Sequence, residues 1–364
     1  MVFELASAQR RLGADVEIWT PNALRAGSTE NFDELPIRYF ASNPLFGLAR
    51  SFRLREEIRT LPKTAILHAH NTFNPLNLQV GDAAAEQGLK AFYHPHGALD
   101  PALFSDWSPK SLKKQLYIRA FSRPNLNRSA GVFALTPLER NQLITLGVTA
   151  PIHVVPNGIK PVTVASAEQG LALRRQYGLD ASDRVMLFIG RITPKKRLED
   201  IIQALSLLGA SAPHLFIAGS PEIESAYAEK LFRMVRDCGC AARVHWLGFL
   251  DEAAKAAAYA ASDVFVHASE SEGMALAILE AMSAGLPVVA TRGCYMTEAA
   301  ATGALIQCEQ GAAALASAVG PLLADPVRAR AQGVAGQAHA HHVHDWEALA
   351  RATMRIYEGA SSRA

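Results

Sequence analysis

Residues 269–291 read Ser-Glu-Ser-Glu-Gly-Met-Ala-Leu-Ala-Ile-Leu-Glu-Ala-Met-Ser-Ala-Gly-Leu-Pro-Val-Val-Ala-Thr. The order is loop, helix, sharp stop and buried strand. Gly285 ends the helix and Pro287 prevents its continuation. Glu272 sits in the loop beside Gly273, and Glu280 lies about five residues into the helix, roughly 8 Å from its start at the usual rise. A helix start preceded by glycine presents unpaired backbone N–H groups, which suit a phosphate. One acid at that mouth and one along the helix could hold hydroxyls on either side of the phosphate. A sugar nucleotide has this layout: sugar, diphosphate, ribose. The plainer alternative makes both glutamates solvated acids on a surface helix. Glu280 argues against it, because Leu276, Leu279, Ala281 and Met282 leave the helix mostly apolar, and an acid in such a setting usually has a partner.

With Ser-Glu-Gly before it and Glu-Ala-Met-x-Ala-Gly-x-Pro-Val-Val-Ala-Thr after it, the segment resembles the Glu-x7-Glu signature of retaining glycosyltransferases with the GT-B fold, the large family-four group. The resemblance runs from Val2 to about Gly359, with its specific motifs mainly in the second half. It implies an α/β protein of two Rossmann-like domains facing across a cleft. The chain's own alternation of apolar runs and helical patterns agrees with parallel α/β layers. Val16–Thr20, Ala65–His68, Ala91–His94, Gly131–Leu135 and His153–Val155 read as strands of the first half. Val185–Ile189, His214–Ala218, Val244–Trp246, Val264–His267 and Pro287–Ala290 do so in the second.

The expected domains are residues 1–160 on the acceptor side, 161–344 binding the nucleotide sugar, and 345–360 as a C-terminal helix crossing back to the first domain. Asp15–Pro21 resembles the second strand of the GT-B N-terminal domain, so that domain is expected to lack its first strand and Gly-rich turn. A start codon assigned too late is the favoured reading, and a real truncation is the alternative.

Composition narrows the class. The 364 residues suffice for two domains with their own cores, and 49% hydrophobic against 19% charged residues describes a globular chain. A net charge of +2 gives no general case for nucleic acid binding. Four cysteines are too few for a disulfide framework, which fits a reducing cytoplasm. No apolar run is long enough to span a bilayer, and the residues from Met1 onward lead to the expectation of no signal peptide.

The remaining candidate residues take their roles from the resemblance. Arg191 and Lys196 follow the strand Val185–Ile189 and Gly190, at the end of an α/β strand where ligands bind. In the resembling family such side chains clamp the donor diphosphate and offset the charge on the departing nucleotide. The resemblance therefore implies no cofactor and no metal, with a nucleotide-diphosphate sugar, UDP- or GDP-linked, as co-substrate. A solvated basic loop is the competing reading. His96, in His94-Pro95-His96-Gly97, resembles the histidine that touches the donor sugar, and His70 and Asn71 are weaker acceptor-side candidates. Gly219, Gly248 and Phe249 resemble loops around the nucleotide base, and Glu272, Gly273, Met274, Ala275 and Glu280 complete the donor site. Met274 and Ala275 replace the commoner Phe and second Gly, which leaves sugar specificity open.

Asn157-Gly158 resembles the turn into the hinge, with Gly158 expected at positive φ. The run Trp107–Arg128 carries six basic residues against Asp106, with Leu112, Leu116, Ala120 and Phe121 on one face. It suits either an anionic membrane surface or an ordinary solvated helix. His339, His341, His342 and His344 read as linker residues before the last helix, not as a metal site.

Together these readings imply a retaining hexosyltransferase that moves a sugar to a hydroxyl of a glycan or lipid-linked acceptor. The implied setting is polysaccharide or cell-envelope assembly, in the cytoplasm or peripheral on the inner face of the plasma membrane. Catalytic roles fall to His96, Glu272, Arg191 and Lys196. The alternatives are a catalytically impaired sugar-nucleotide-binding partner protein and a nucleotide-sugar epimerase on the same scaffold.

Overall fold

The computed structural model describes residues 1–41, 43–45, 48–104, 106 and 108–361. Trp107, the first residue of the basic run, lies outside them. The chain forms two compact units, one of Met1–Gly158 together with the segment from Trp346 onward, the other of Ile159–Asp345.

In the first unit, β1 (Ile18–Pro21) pairs in parallel with β3 (Leu35–Phe40), which pairs antiparallel with β2 (Thr29–Phe32). A small hairpin, β4 (Asn43–Leu45) with β5 (Leu48–Arg50), follows. The main sheet is parallel, in the order β6 (Ile66–His70), β7 (Lys90–His94), β8 (Gly131–Ala134), β9 (Ile152–Val154). The first-half strands read from the sequence thus do not share one sheet. Among the described residues, no strand is hydrogen-bonded between β1 and β6. The β2–β3 hairpin closes through Asp33 and Glu34, both at positive φ (47° and 64°). That geometry favours Asn-Gly or Asp-Gly, so Asp-Glu carried no recognisable hairpin signal.

The helix Val2–Arg11 and the last helix, Trp346–Ser361, share a core with the sheet through Leu5, Ala8, Phe92, Phe133, Trp346 and Leu349. Gly158 does not adopt positive φ as expected. It is glycine because the Trp346 ring packs on it: an added Cβ would collide with three carbons of the indole.

The second unit holds a six-stranded parallel sheet, ordered β12 (Val244–Gly248), β11 (His214–Ala218), β10 (Val185–Ile189), β13 (Val264–His267), β14 (Val288–Thr291), β15 (Ile306–Cys308). Its inner strands, β10, β11, β13 and β14, are largely apolar on both faces because helices cover both. Met186 and Phe188 enter one core while Val185 and Leu187 enter the other, as the two-residue period requires. The order reverses between β10 and β13, and ligands of open α/β sheets bind outside the carboxyl ends of strands at such a switch point. The loops that follow these two strands are Gly190–Lys196 and Ala268–Ala275.

The histidine tract is helical and not a linker. Asp325 caps a helix Pro326–Val343 that contains His339, His341 and His342. Alanine and glutamine in residues 329–340 favour helix strongly enough to carry the glycines among them. No described helix is long and apolar enough to cross a membrane.

Candidate active site

At the switch point of the second unit, the two loops are tied together. Glu270 N–H donates to Lys195 O (2.9 Å), while Glu272 N–H donates to Gly293 O (2.8 Å) in the turn that follows β14. The Lys196 ammonium is paired with the Glu272 carboxylate, their side chains only 12% and 16% exposed. Ser269 Oγ donates to the same oxygen, Glu272 Oε1 (2.7 Å), and Lys196 Nζ lies 3.4 Å from His267 Nε2. Burial pushes the Glu272 carboxyl up, but the His267 imidazole, the Lys196 charge and the Ser269 hydroxyl outweigh it and hold it well below the usual range. Burial lowers the pKa of His267, and the nearby Lys196 adds to the fall against the opposing carboxylate. Glu272 is therefore a fixed anion at neutral pH.

The helix Leu276–Ser283 begins beside this pair. Its N-cap residue, Ala275, makes no side-chain cap, and the N–H groups of Gly273 to Ala277 make no hydrogen bond within the described residues. Helix starts leave these donors for water or for a ligand. Arg191 is exposed at the end of β10 and has no ion pair among the described residues.

Three glycines continue the floor along the sheet. Gly190 N–H donates to Ala218 O (3.0 Å) and Gly219 N–H to Gly248 O (2.8 Å). A Cβ on Gly219 would collide with the Gly190 carbonyl, so the close approach of these strand ends requires glycine. Phe249, next along, is 83% exposed. Met274 packs against the core and Ala275 is buried.

Glu280 is half-buried and has two partners the sequence reading did not name. Tyr259 Oη donates to Glu280 Oε2 (3.0 Å), and Lys255 Nζ lies 3.4 Å from both carboxylate oxygens. Burial and then the Glu280 charge raise the Tyr259 phenol, so it stays a donor. Burial pulls Lys255 down, but Glu252 and Glu280 outweigh it and keep it a cation.

In the first unit, His70 Nδ1 and His96 Nε2 are 2.9 Å apart. The His94 ring stacks on His96 with centroids 3.9 Å apart. His96 and Asn71, each just beyond a strand end, adopt left-handed φ of 58° and 70°. Asn71 Oδ1 accepts from the N–H of Thr72 (2.6 Å), so the carbonyl of its side chain closes its own turn. Burial lowers His70 to about 4 and His96 to about 3, and both rings are neutral.

Glu139 accepts from Gly97 N–H and from Leu135 N–H, both at 2.7 Å, and so fastens the His96-Gly97 turn to the end of β8. The sequence reading missed Glu139, whose only signal is an acid three residues after the N-cap Thr136. It missed the site role of His267 as well, the one polar residue ending the run Val-Phe-Val-His.

Comparisons with known proteins agree in kind. Residues 171–339 match a family model described as glycosyl transferases group 1, and residues 1–158 match one described as a glycosyl transferase 4-like domain. The chain is 27% identical to a D-inositol 3-phosphate glycosyltransferase of Kineococcus radiotolerans, over 99% of this chain and 89% of that protein. It is 33% identical to a GDP-mannose-dependent alpha-(1-6)-phosphatidylinositol monomannoside mannosyltransferase of Mycolicibacterium smegmatis, over 52% of each. It thus spans most of the first relative and about half the length of the second.

Among solved structures, sucrose-phosphate synthase of Thermosynechococcus elongatus superposes with a TM-score of 0.79 at 20% identity, over 100% of this chain and 93% of that one. Anabaena Alr3699/HepE in complex with UDP-glucose superposes with a TM-score of 0.73 at 24% identity, over 90% and 86%. At such identities the structural likeness speaks to the fold.

Proposed function

The chain belongs to the group 1 glycosyltransferases with the GT-B fold, and from that premise we propose that it moves a sugar from a nucleotide-diphosphate sugar to an acceptor hydroxyl with retention of configuration. The observation that carries this reading is the Lys196–Glu272 pair set beside an open helix start at the sheet's switch point. The diphosphate sits against the N–H groups of Gly273 to Ala275, with Lys196 and Arg191 offsetting its charge. Glu272 accepts from donor-sugar hydroxyls, and Glu280, oriented by Tyr259 and Lys255, accepts from the ribose. The family resemblance assigns His96, a neutral imidazole beside His70, to the donor sugar, and His70 and Asn71 to the acceptor.

The acceptor oxygen attacks the anomeric carbon on the face from which the phosphate leaves. The C–O bond to phosphate breaks, and the departing phosphate oxygen takes the acceptor's proton. No cofactor or metal ion is required, because the two cations and the helix start stabilise the leaving group. A UDP- or GDP-linked donor is supported by the relatives, one named for GDP-mannose and one solved with UDP-glucose.

The acceptor is a glycan or a lipid-linked sugar of polysaccharide or cell-envelope assembly, met at the inner face of the membrane. Support comes from the helical run Pro109–Asn127, where Leu112 (54% exposed), Leu116 (57%) and Phe121 stand open to solvent among Lys110, Lys113, Arg119 and Arg123. Such a face suits an anionic bilayer.

A thermal-shift screen of nucleotide sugars tests the donor site. One donor should stabilise the wild type, and Glu280→Ala and Lys196→Ala should lose most of that gain. Equal stabilisation of all three proteins would contradict the site.

A further inference from the structure

Two largely buried histidines of the first unit, His68 and His94, have no role in the sugar transfer proposed above. His68 and His70 lie on β6 and His94 on β7, with His70 directly paired to His94 in a parallel register. Strand alternation therefore puts all three on one face of the sheet. One ring nitrogen from each lies within 4.8 Å of one from each of the others. Two of the three rings are gripped from outside by a single nitrogen. His68 Nδ1 meets Tyr357 Oη at 2.6 Å, and His70 Nδ1 meets His96 Nε2 at 2.9 Å. Among the described residues, His68 Nε2 is buried without a hydrogen-bond partner, and so are both nitrogens of His94, a residue only 3% exposed.

Buried ring nitrogens are normally hydrogen-bonded. A histidine held at one nitrogen by an outer partner, with the other turned toward neighbouring histidines, is the arrangement of a metal ligand and its supporting shell. We propose that His68, His70 and His94 bind a single divalent transition-metal ion of the zinc class. Three neutral imidazoles and no carboxylate suit Zn2+, Co2+ or Ni2+ and not Mg2+ or Ca2+. With the ion on His70 Nε2, the His70 proton resides on Nδ1 and is donated to His96 Nε2. The metal thereby fixes the orientation and tautomer of His96, which places its own proton on Nδ1. The ion takes no part in the bonds made and broken in sugar transfer; it acts on His96 only through His70.

The test uses the full chain, without a histidine tag, stripped with chelator and titrated with Co2+. The visible d–d bands of a low-coordinate Co2+ should grow to one equivalent and vanish on adding Zn2+. His94→Gln should abolish the bands, and Tyr357→Phe, which removes only the outer grip, should weaken Co2+ about 10-fold or more. The histidines of the helix Pro326–Val343 are the competing source, so the double variant His341→Ala/His342→Ala should titrate like the wild type. Thermal melts of the metal-free variants establish folding, and His70→Gln carries the same test should His94→Gln not fold. Absence of bands in folded wild type, or bands that survive His94→Gln and His70→Gln but disappear in the double variant, overturns the site.

Discussion

Replacing Lys196 with methionine keeps the stem's volume and deletes the charge that compensates Glu272. Both side chains are largely buried, at 12% and 16% exposed. Removing one member of a fully buried ion pair costs about 3–5 kcal/mol, because the partner is stranded. Residual exposure and the Ser269 hydroxyl soften this here, so the loss should be about 3 kcal/mol. For a unit of this size that is a fall of about 6–12 °C in Tm. Glu272→Gln in the same chain removes the stranded charge, so the double variant should recover at least about 2 kcal/mol relative to the sum of the single losses.

The effect has a definite pH sign. The folded-state pKa of Glu272 is depressed, so the pair's contribution is complete above the ordinary glutamate pKa of about 4.3 and is lost as pH falls below it. The gap between wild type and Lys196→Met should therefore be full at neutral pH and narrow in acid. Urea melts of the four proteins of the cycle, at neutral pH and in acid, measure both quantities. Additive single losses, or a gap that does not change with pH, would refute the coupling.

Tyr259→Phe removes the phenol that donates to Glu280 (3.0 Å). Steady-state kinetics should show a donor KM raised about 5–10-fold, the worth of about one hydrogen bond, with kcat little changed. Glu139→Ala strands the N–H groups of Gly97 and Leu135, which should cost about 2–5 kcal/mol in chemical denaturation; Glu139→Gln, keeping one acceptor, should lose less. Gly158→Ala drives a methyl into the carbons of the Trp346 ring, and overpacking of about 1–3 kcal/mol should appear as a lowered Tm.

The second unit was legible because its signals are local. Residues 269–291 carry a loop, a helix stop and a buried strand in sequence order, and each of the five second-half strands was found within a few residues. Its β15, Ile306–Cys308, escaped because three residues with glutamine in the middle show no period. The first unit was less legible. The β2–β3 hairpin turns through Asp33-Glu34 without glycine, and β1 finds its partner in that hairpin instead of in the main sheet.

At the site, the residue types could be named but not their partners. The Lys255 and Tyr259 that hold Glu280 lie 25 and 21 positions upstream on another helix, a proximity only the packing creates. Gly158 was read as a conformational glycine, while its cause is the ring of Trp346, almost two hundred residues downstream. The histidine tract reads as a linker because it precedes the last helix, yet its own helix is fixed by the Asp325 cap and by alanine propensity.

A crystal structure with a nucleoside diphosphate bound tests the central claim most directly. The account predicts phosphate oxygens within hydrogen-bond distance of the N–H groups at Gly273 to Ala275 and of Lys196, with Arg191 closing on them. A diphosphate seated away from both the helix start at Leu276 and the Lys196–Glu272 pair would contradict it.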